Sequence, residues 1–389
     1  MRCLMTKLVV ENFGQIVKAE IEFGDLTVLV GPQATGKSIF LQLFKLMVDA
    51  AYIKAEWKKY GIDWNQEIPQ LLGIYLGEGM QNAWNDRNTS LVYNNKTIDL
   101  VSYVKNARVS KNARDNAERL FYIPAQRVLT LGNGWPKPFH GYDLGDPFTV
   151  RNYSEQLRLN MEQSFNTGAI FPQNNRLRGE YREMLSRSVF GGMNLKVDKS
   201  RPQKRLVLSS PNGNVINLPY MVWSAGQREF IPLLLGFYWL MPPAKTPRRN
   251  DLEWVVIEEP EMGLHPDAMI PILALVMDLM HRGYKVCLST HSTNVLDLVW
   301  GIKTIQNHKN NPYDFLKLFG LKKQSPLRDM ASDVLKKNFQ VCFFERNTGI
   351  ASNISNLDPW SDNAAEVDWG GLTGFSRSVG SIVADVVTQ

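Results

Sequence analysis

The chain has 389 residues, 44% hydrophobic and 21% charged, and its 44 Lys and Arg against 38 Asp and Glu give a formal net charge of +6. This is ordinary globular composition with room for one large α/β domain with insertions, or for two domains. No run approaches the roughly 18 uncharged apolar residues of a membrane span, and Cys3, Cys287 and Cys342 lie far apart with no Cys-x-x-Cys pair, which argues against a disulfide framework or a structural zinc site.

The N-terminus alternates like a strand, with no long apolar core or small-residue cleavage site, so a cytoplasmic protein is expected. Residues 7–13 and 17–23 read as two strands joined by a turn at Gly14. Leu26 to Val30 then forms an apolar run that breaks into Gly31-Pro-Gln-Ala-Thr-Gly-Lys-Ser38 and a helical continuation. Strand, Gly-x-x-x-x-Gly-Lys-Ser and helix together make a phosphate-binding P-loop. Gly31 and Gly36 let the backbone turn its N–H groups inward toward an anion, helped by the positive end of the following helix. Lys37 is expected on the β- and γ-phosphates of ATP, and the Ser38 hydroxyl on Mg2+.

Residues 61–190 lose the parallel-strand signal and read as a mostly helical insertion. Within it Lys105, Arg108, Lys111, Arg114 and Arg119 recur at helical intervals, either a solvated face or a contact for DNA or RNA. The short strand 121–128 ends in Gln126-Arg127, where an open α/β sheet commonly offers a ligand contact. Arg205 to Ser209 and Val215 to Leu218 flank Pro211-Asn-Gly-Asn214, a hairpin signal, and Lys196, Lys199, Arg201, Lys204 and Arg205 add a second basic cluster. The positive balance allows a polyanionic partner without requiring one.

Three further stretches carry chemistry. Trp223-Ser-Ala-Gly-Gln-Arg-Glu229 precedes an apolar helix, so a hydroxyl, backbone N–H groups and a helix dipole converge there. The strand Leu252 to Ile257 runs into Glu258-Glu-Pro-Glu261. Adjacent carboxylates at a strand end point in different directions, so one can serve Mg2+ and the other the attacking water. Tyr284 to Thr290 is a strand with a polar tip at His291.

Taken together, the P-loop, Gln126, Ser224-Ala-Gly-Gln227, Glu258-Glu-Pro-Glu261 and His291 resemble the ABC-type ATPase head of the RecF and SMC proteins. The wording from Ile257 to Pro266 is most similar to the branch of OLD-family proteins and anti-phage ATPase subunits. The resemblance implies an α/β fold: a mixed sheet with flanking helices, an antiparallel β subdomain and a mostly helical insertion. The motifs place a first head segment over 1–60 and a second over 191–300 around the insertion at 61–190. The residues of the tail read as an α/β extension over 301–389 with a short closing helix over 380–387, expected to pack on the head.

The same resemblance makes Gly31, Gly36, Lys37 and Ser38 the phosphate cradle, and Gln126 the Q-loop residue serving nucleotide and metal. Glu258 becomes the metal-site carboxylate, where many relatives have Asp, with Glu259 the catalytic base and His291 the switch histidine. Ser224, Gly226 and Gln227 form the signature that reaches ATP held by a second subunit, so a homodimer or higher oligomer with shared ATP sites is implied. Ala225, where relatives carry Gly, adds a methyl that bears on turnover more than on binding. The stretch between Ser38 and Ser224 lacks sustained heptads, which excludes SMC-type arms, and no Asp-x-Asp cluster of a Toprim nuclease follows His291. A sensor ATPase controlling a separately encoded effector, a nuclease or toxin, is therefore the leading expectation. A RecF-like DNA-repair clamp and an ATP-dependent scaffold with little turnover are the alternatives.

Overall fold

In the computed structural model, residues 6–387 are described except 65, 111, 113–115, 166–167, 174, 201, 211–216, 243–247, 250, 309, 324, 359–360, 362, 368 and 370. The strands among them are β1 (Lys7–Phe13), β2 (Ile16–Glu22), β3 (Leu26–Val30), β4 (Ser90–Tyr93), β5 (Lys96–Thr97), β6 (Leu120–Ile123), β7 (Leu131–Gly132), β8 (Trp135–Pro136), β9 (Ala169–Phe171), β10 (Asn194–Asp198), β11 (Arg205–Ser209), β12 (Asn217–Pro219), β13 (Trp254–Glu258), β14 (Lys285–Thr290), β15 (Phe339–Phe344) and β16 (Ile350–Asn353). The helices are α1 (Lys37–Lys59), α2 (Ile68–Tyr75), α3 (Leu100–Asn106), α4 (Phe148–Ser164), α5 (Gly179–Leu185), α6 (Ala225–Leu240), α7 (Pro266–His281), α8 (Thr293–His308), α9 (Pro312–Leu318), α10 (Arg328–Val334), α11 (Ala364–Val367) and α12 (Gly374–Val387).

The chain divides into two compact units: residues 1–47, 82–103 and 287–389 form one, and residues 48–81 and 104–286 the other. The first is a mixed α/β unit whose strands run β5, β4, β1, β2, β16, β15, β3, β14. β1 pairs antiparallel with β2 and β4, while β15 lies parallel to β3 in the register Val341↔Val28. All five residues of β3 are buried, as a strand covered on both faces requires. Phe23 stacks on Phe44 of α1 at 4.0 Å between ring centroids, and Phe40 meets Phe344 edge-on. β15 and β16 form an antiparallel hairpin whose strands stand between β2 and β3 as members of the sheet.

The second unit is built on β6 and β13, parallel in the register Val255↔Phe121. Beside them stands an antiparallel sheet in the order β12, β11, β10, β9. The hairpin read from Asn-Gly is β11 with β12, paired as Leu208↔Leu218; its turn, 211–216, lies outside the described residues. Aromatic packing centres on Phe148 of α4, which meets Trp57, Tyr75 and Phe139. α1 kinks at Asp49, whose carboxylate accepts the N–H groups of Arg119 and Leu120 at 2.9 Å and anchors the start of β6. The segment 61–190 carries β4 to β9 as well as α2 to α5, so strands are interleaved with its helices.

Two expectations are corrected. The basic run from Lys105 to Arg119 does not share a helix, because α3 ends at Asn106 and Arg108 lies beyond it. Lys111 and Arg114 lie outside the described residues, as does Arg201 of the second basic cluster. The closing helix is longer than read, from Gly374, and does not pack: Phe375 is 80% exposed and Val379, Ile382, Val383 and Val386 are exposed with it. Their spacing of three and four residues makes an amphipathic helix, but spacing says nothing of what covers the apolar face. Among the described residues no helix is long and apolar enough to cross a membrane.

Candidate nucleotide site

The loop after β3 turns on residues that tolerate left-handed backbone. Gly31 has φ of 145° and Gly36 of 95°, and a Cβ on them would meet Phe344 O at 2.4 Å and Ile16 Cγ1 at 2.5 Å. Both conformation and space therefore demand glycine. Lys37 begins α1 and is 5% exposed, with its ammonium donating to Gly31 O and Pro32 O, each at 2.7 Å. Thr35 Oγ1 donates to Pro32 O at 2.9 Å, so the loop is folded around its own lysine. Ser38, half-buried, sits in the first turn of α1.

A cation that sequence reasoning missed stands here. Arg346, in the turn between β15 and β16, donates to Gln33 O at 2.8 Å and so sits on the P-loop. No local signal marked it; the long-range pairing of β15 with β3 brings it there. His291 directly follows β14 in the same unit and is half-buried.

The second unit brings together the other predicted residues, apart from the exposed Gln126 side chain. Glu258 ends β13 and is 1% exposed, its Oε2 accepting the N–H of Ala125 at 3.0 Å. The carboxylate is thereby tied to the backbone just before Gln126. Glu259 follows with φ of 41°, left-handed for a residue that is not glycine. Its side chain is half-buried.

The signature helix α6 starts in a capping box: Gln227 N donates to Ser224 Oγ at 3.2 Å, and Ser224 N to Gln227 Oε1 at 3.1 Å. This fixes the helix start with Ser224 exposed and Gly226 half-buried. Beside it, Met221 and Val222 are 71% and 61% exposed.

Beneath these elements lies Arg127, fully buried and in contact with α6 and the acidic turn. Burial pulls its guanidinium below the ordinary arginine value, and Glu229 opposes that shift. Glu229 is raised above the usual carboxylate range, again by burial, with Arg127 acting the other way. Both shifts favour the neutral forms, as expected where desolvation outweighs a pair separated by 3.8 Å.

A family model described as "AAA domain, putative AbiEii toxin, Type IV TA system" (AAA_21) matches residues 58–297. The chain belongs to the AAA_21 family. The family description names an AAA domain, in agreement with the nucleotide-binding motif set read from the sequence. No curated protein matches the chain. Among solved structures the family member is similar to an SMC head bound to the C-terminal winged-helix domain of ScpA, at 8% identity, covering 90% of this chain and 96% of that one with a TM-score of 0.41. The SMC head domain from Thermotoga maritima gives 12% identity, 90% and 98% coverage and 0.35. A bacterial ABC transporter cassette, MJ0796, solved as a dimer, gives 10% identity, 89% and 98% coverage and 0.34. At these scores the likenesses bear on neither activity nor partners.

Proposed function

We propose that this AAA_21 member binds and hydrolyses ATP as a head-to-tail dimer and acts as a nucleotide-dependent switch on a separately encoded effector. The observation that carries the reading is the pairing, in one chain, of a glycine-built P-loop around Lys37 with a strand end that presents Glu258 buried and Glu259 accessible. In this reading Gly31, Gly36 and Lys37 hold the phosphates, and Gln126 and His291 serve the γ-phosphate side. Glu259 takes a proton from the attacking water. Ser38 and Glu258 would hold Mg2+ with Gln126. Glu258 suits that task, being a buried carboxylate fixed through one oxygen, and the cation would neutralise charge on the phosphates. Mg2+ in such a site takes most of its ligands from nucleotide oxygens and water.

The dimer part of the reading rests on the signature. Ser224 stands exposed at a rigidly capped helix start beside exposed Met221 and Val222, an apolar surface adjoining an anion-binding helix end. Two chains around a twofold axis would each give Ser224, Gly226 and Gln227 to the other's ATP. The effector part rests on the motif resemblance to anti-phage ATPase subunits; the family description, "putative AbiEii toxin, Type IV TA system", supports a toxin–antitoxin setting over DNA repair.

The test is turnover against binding. Lys37→Ala should abolish ATP binding, whereas Glu259→Gln should bind ATP normally and not hydrolyse it. Wild-type turnover by the Gln variant would remove Glu259 as the base.

A further inference from the structure

We propose that Arg127 is a positioning residue that holds the Glu258–Glu259 turn in the conformation presenting the Glu259 carboxylate, and ties that turn to the signature helix. The proposal rests on the reading of Glu259 as the base. Arg127 follows Gln126 in the 3-10 turn Ala125–Thr130 that comes after β6, so the strand expected over 121–128 stops at Ile123. The Arg127 side chain is fully buried. Nη1 donates to Glu258 O at 2.8 Å and Nη2 to Glu259 O at 2.9 Å, while Nε donates to Glu229 O of α6 at 3.1 Å. One planar fork of donors thus reaches the strand end, the residue after it and the second turn of the signature helix. Lysine has no such geometry.

Glu259 explains why a fork is needed. At φ of 41° a residue with a side chain is disfavoured, and it persists only where its surroundings over-determine it. Glycine would remove the strain but also the carboxylate. Two hydrogen bonds from a buried cation to the carbonyls on either side of the Glu258–Glu259 step lock the turn instead, and charge-assisted bonds in a dry interior are the strong ones. The signature helix is held to the same turn by close packing. A Cβ on Gly226 would meet Gly263 O at 2.9 Å, and one on Gly263 would meet Glu229 Cγ at 3.1 Å. The start of α6 and the loop after Glu259 therefore touch through backbone, with Arg127 beneath them.

The test uses full-length protein with Arg127→Lys and Arg127→Gln, with Glu259→Gln and wild type in parallel. It reads the MgATP dissociation constant, the single-turnover hydrolysis rate and the thermal midpoint. Arg127→Lys should bind MgATP within about threefold of wild type and hydrolyse it about 100-fold more slowly, the order of loss for a displaced catalytic group. Arg127→Gln should be slower still. Hydrolysis by Arg127→Lys at the wild-type rate, with Glu259→Gln inactive, would overturn the positioning role and leave the base assignment standing. An active Glu259→Gln would overturn the base assignment and this proposal with it. Equal losses of binding and rate, or failure of both Arg127 variants to fold, would overturn the proposal in favour of a general core role.

Discussion

The P-loop and the acidic turn are both places where the chain bends through left-handed backbone at a strand end, yet they secure the bend differently. At Gly31 and Gly36 no side chain is wanted, and glycine adopts φ of 145° and 95° at no steric cost. At Glu259 the side chain is the proposed working part, and there the backbone takes φ of 41° with Arg127 donating to the carbonyls of Glu258 and Glu259. A turn that only has to shape a cradle is written in glycine, whereas a turn that must carry a carboxylate needs support from elsewhere in the chain.

The comparison can be broken by exchanging the two solutions. Gly36→Val has the largest expected effect, because its Cβ would lie 2.5 Å from Ile16 Cγ1 and its φ is closed to a β-branched residue. ATP binding should be lost, as measured by nucleotide titration; retained binding would mean the loop can rebuild. Glu259→Gln comes next, with hydrolysis down by about 10²–10⁴-fold and binding preserved. Glu259→Gly sharpens the contrast: it should be as inactive as the Gln variant yet unfold at a higher temperature, since relief of left-handed strain, about 1–2 kcal/mol, exceeds the extra chain entropy of glycine, about 0.5–1 kcal/mol. A lower midpoint would show that the turn carries no strain.

The smallest effect lies away from both turns. The Ser200 amide, then Arg205, holds the Asp198 carboxyl down at about 2, below its unfolded value of about 3.9. The folded form binds this proton less readily than the unfolded chain, so the contribution is present above about pH 4 and is lost as pH falls toward 2. Asp198→Asn should lower the thermal midpoint slightly at neutral pH, where this half-buried pair contributes, and should flatten the fall in stability between about pH 4 and pH 2; an unchanged acid limb would rule Asp198 out.

What could be read in advance follows the same division. β3, the loop and α1 are contiguous, so glycine spacing and an apolar run were sufficient to find them. The strands β13 and β14 and the capped start of α6 were legible for the same reason. The pairing of β15 with β3 was not, because it joins residues more than 300 apart in sequence through register alone, and Arg346 was hidden with it. Arg127 gave a partial signal, a cation in the turn four residues after the buried strand β6; nothing local told that its partners would be the carbonyls of Glu258 and Glu259. In the run from Lys105 to Arg119 periodic charge predicts a helix, but α3 stops at Asn106, because charge spacing alone supplies no buried face to continue it. α12 departs from expectation in both length and setting: it begins at Gly374 where a short helix over 380–387 is expected, and its apolar face is exposed.

The central claim, two ATP sites each shared between two chains, is tested most directly by mixing variants. Ser224→Arg should spare ATP binding and block closure, and Lys37→Ala should block binding, so each protein alone should be inactive. A mixed dimer would contain one site with both lesions and one site with neither. ATPase activity is then measured across a titration of one variant into the other, with mixed dimers verified by differential tags. Recovery that peaks near equal proportions is the predicted result. Continued inactivity in demonstrated mixed dimers would contradict independently firing shared sites.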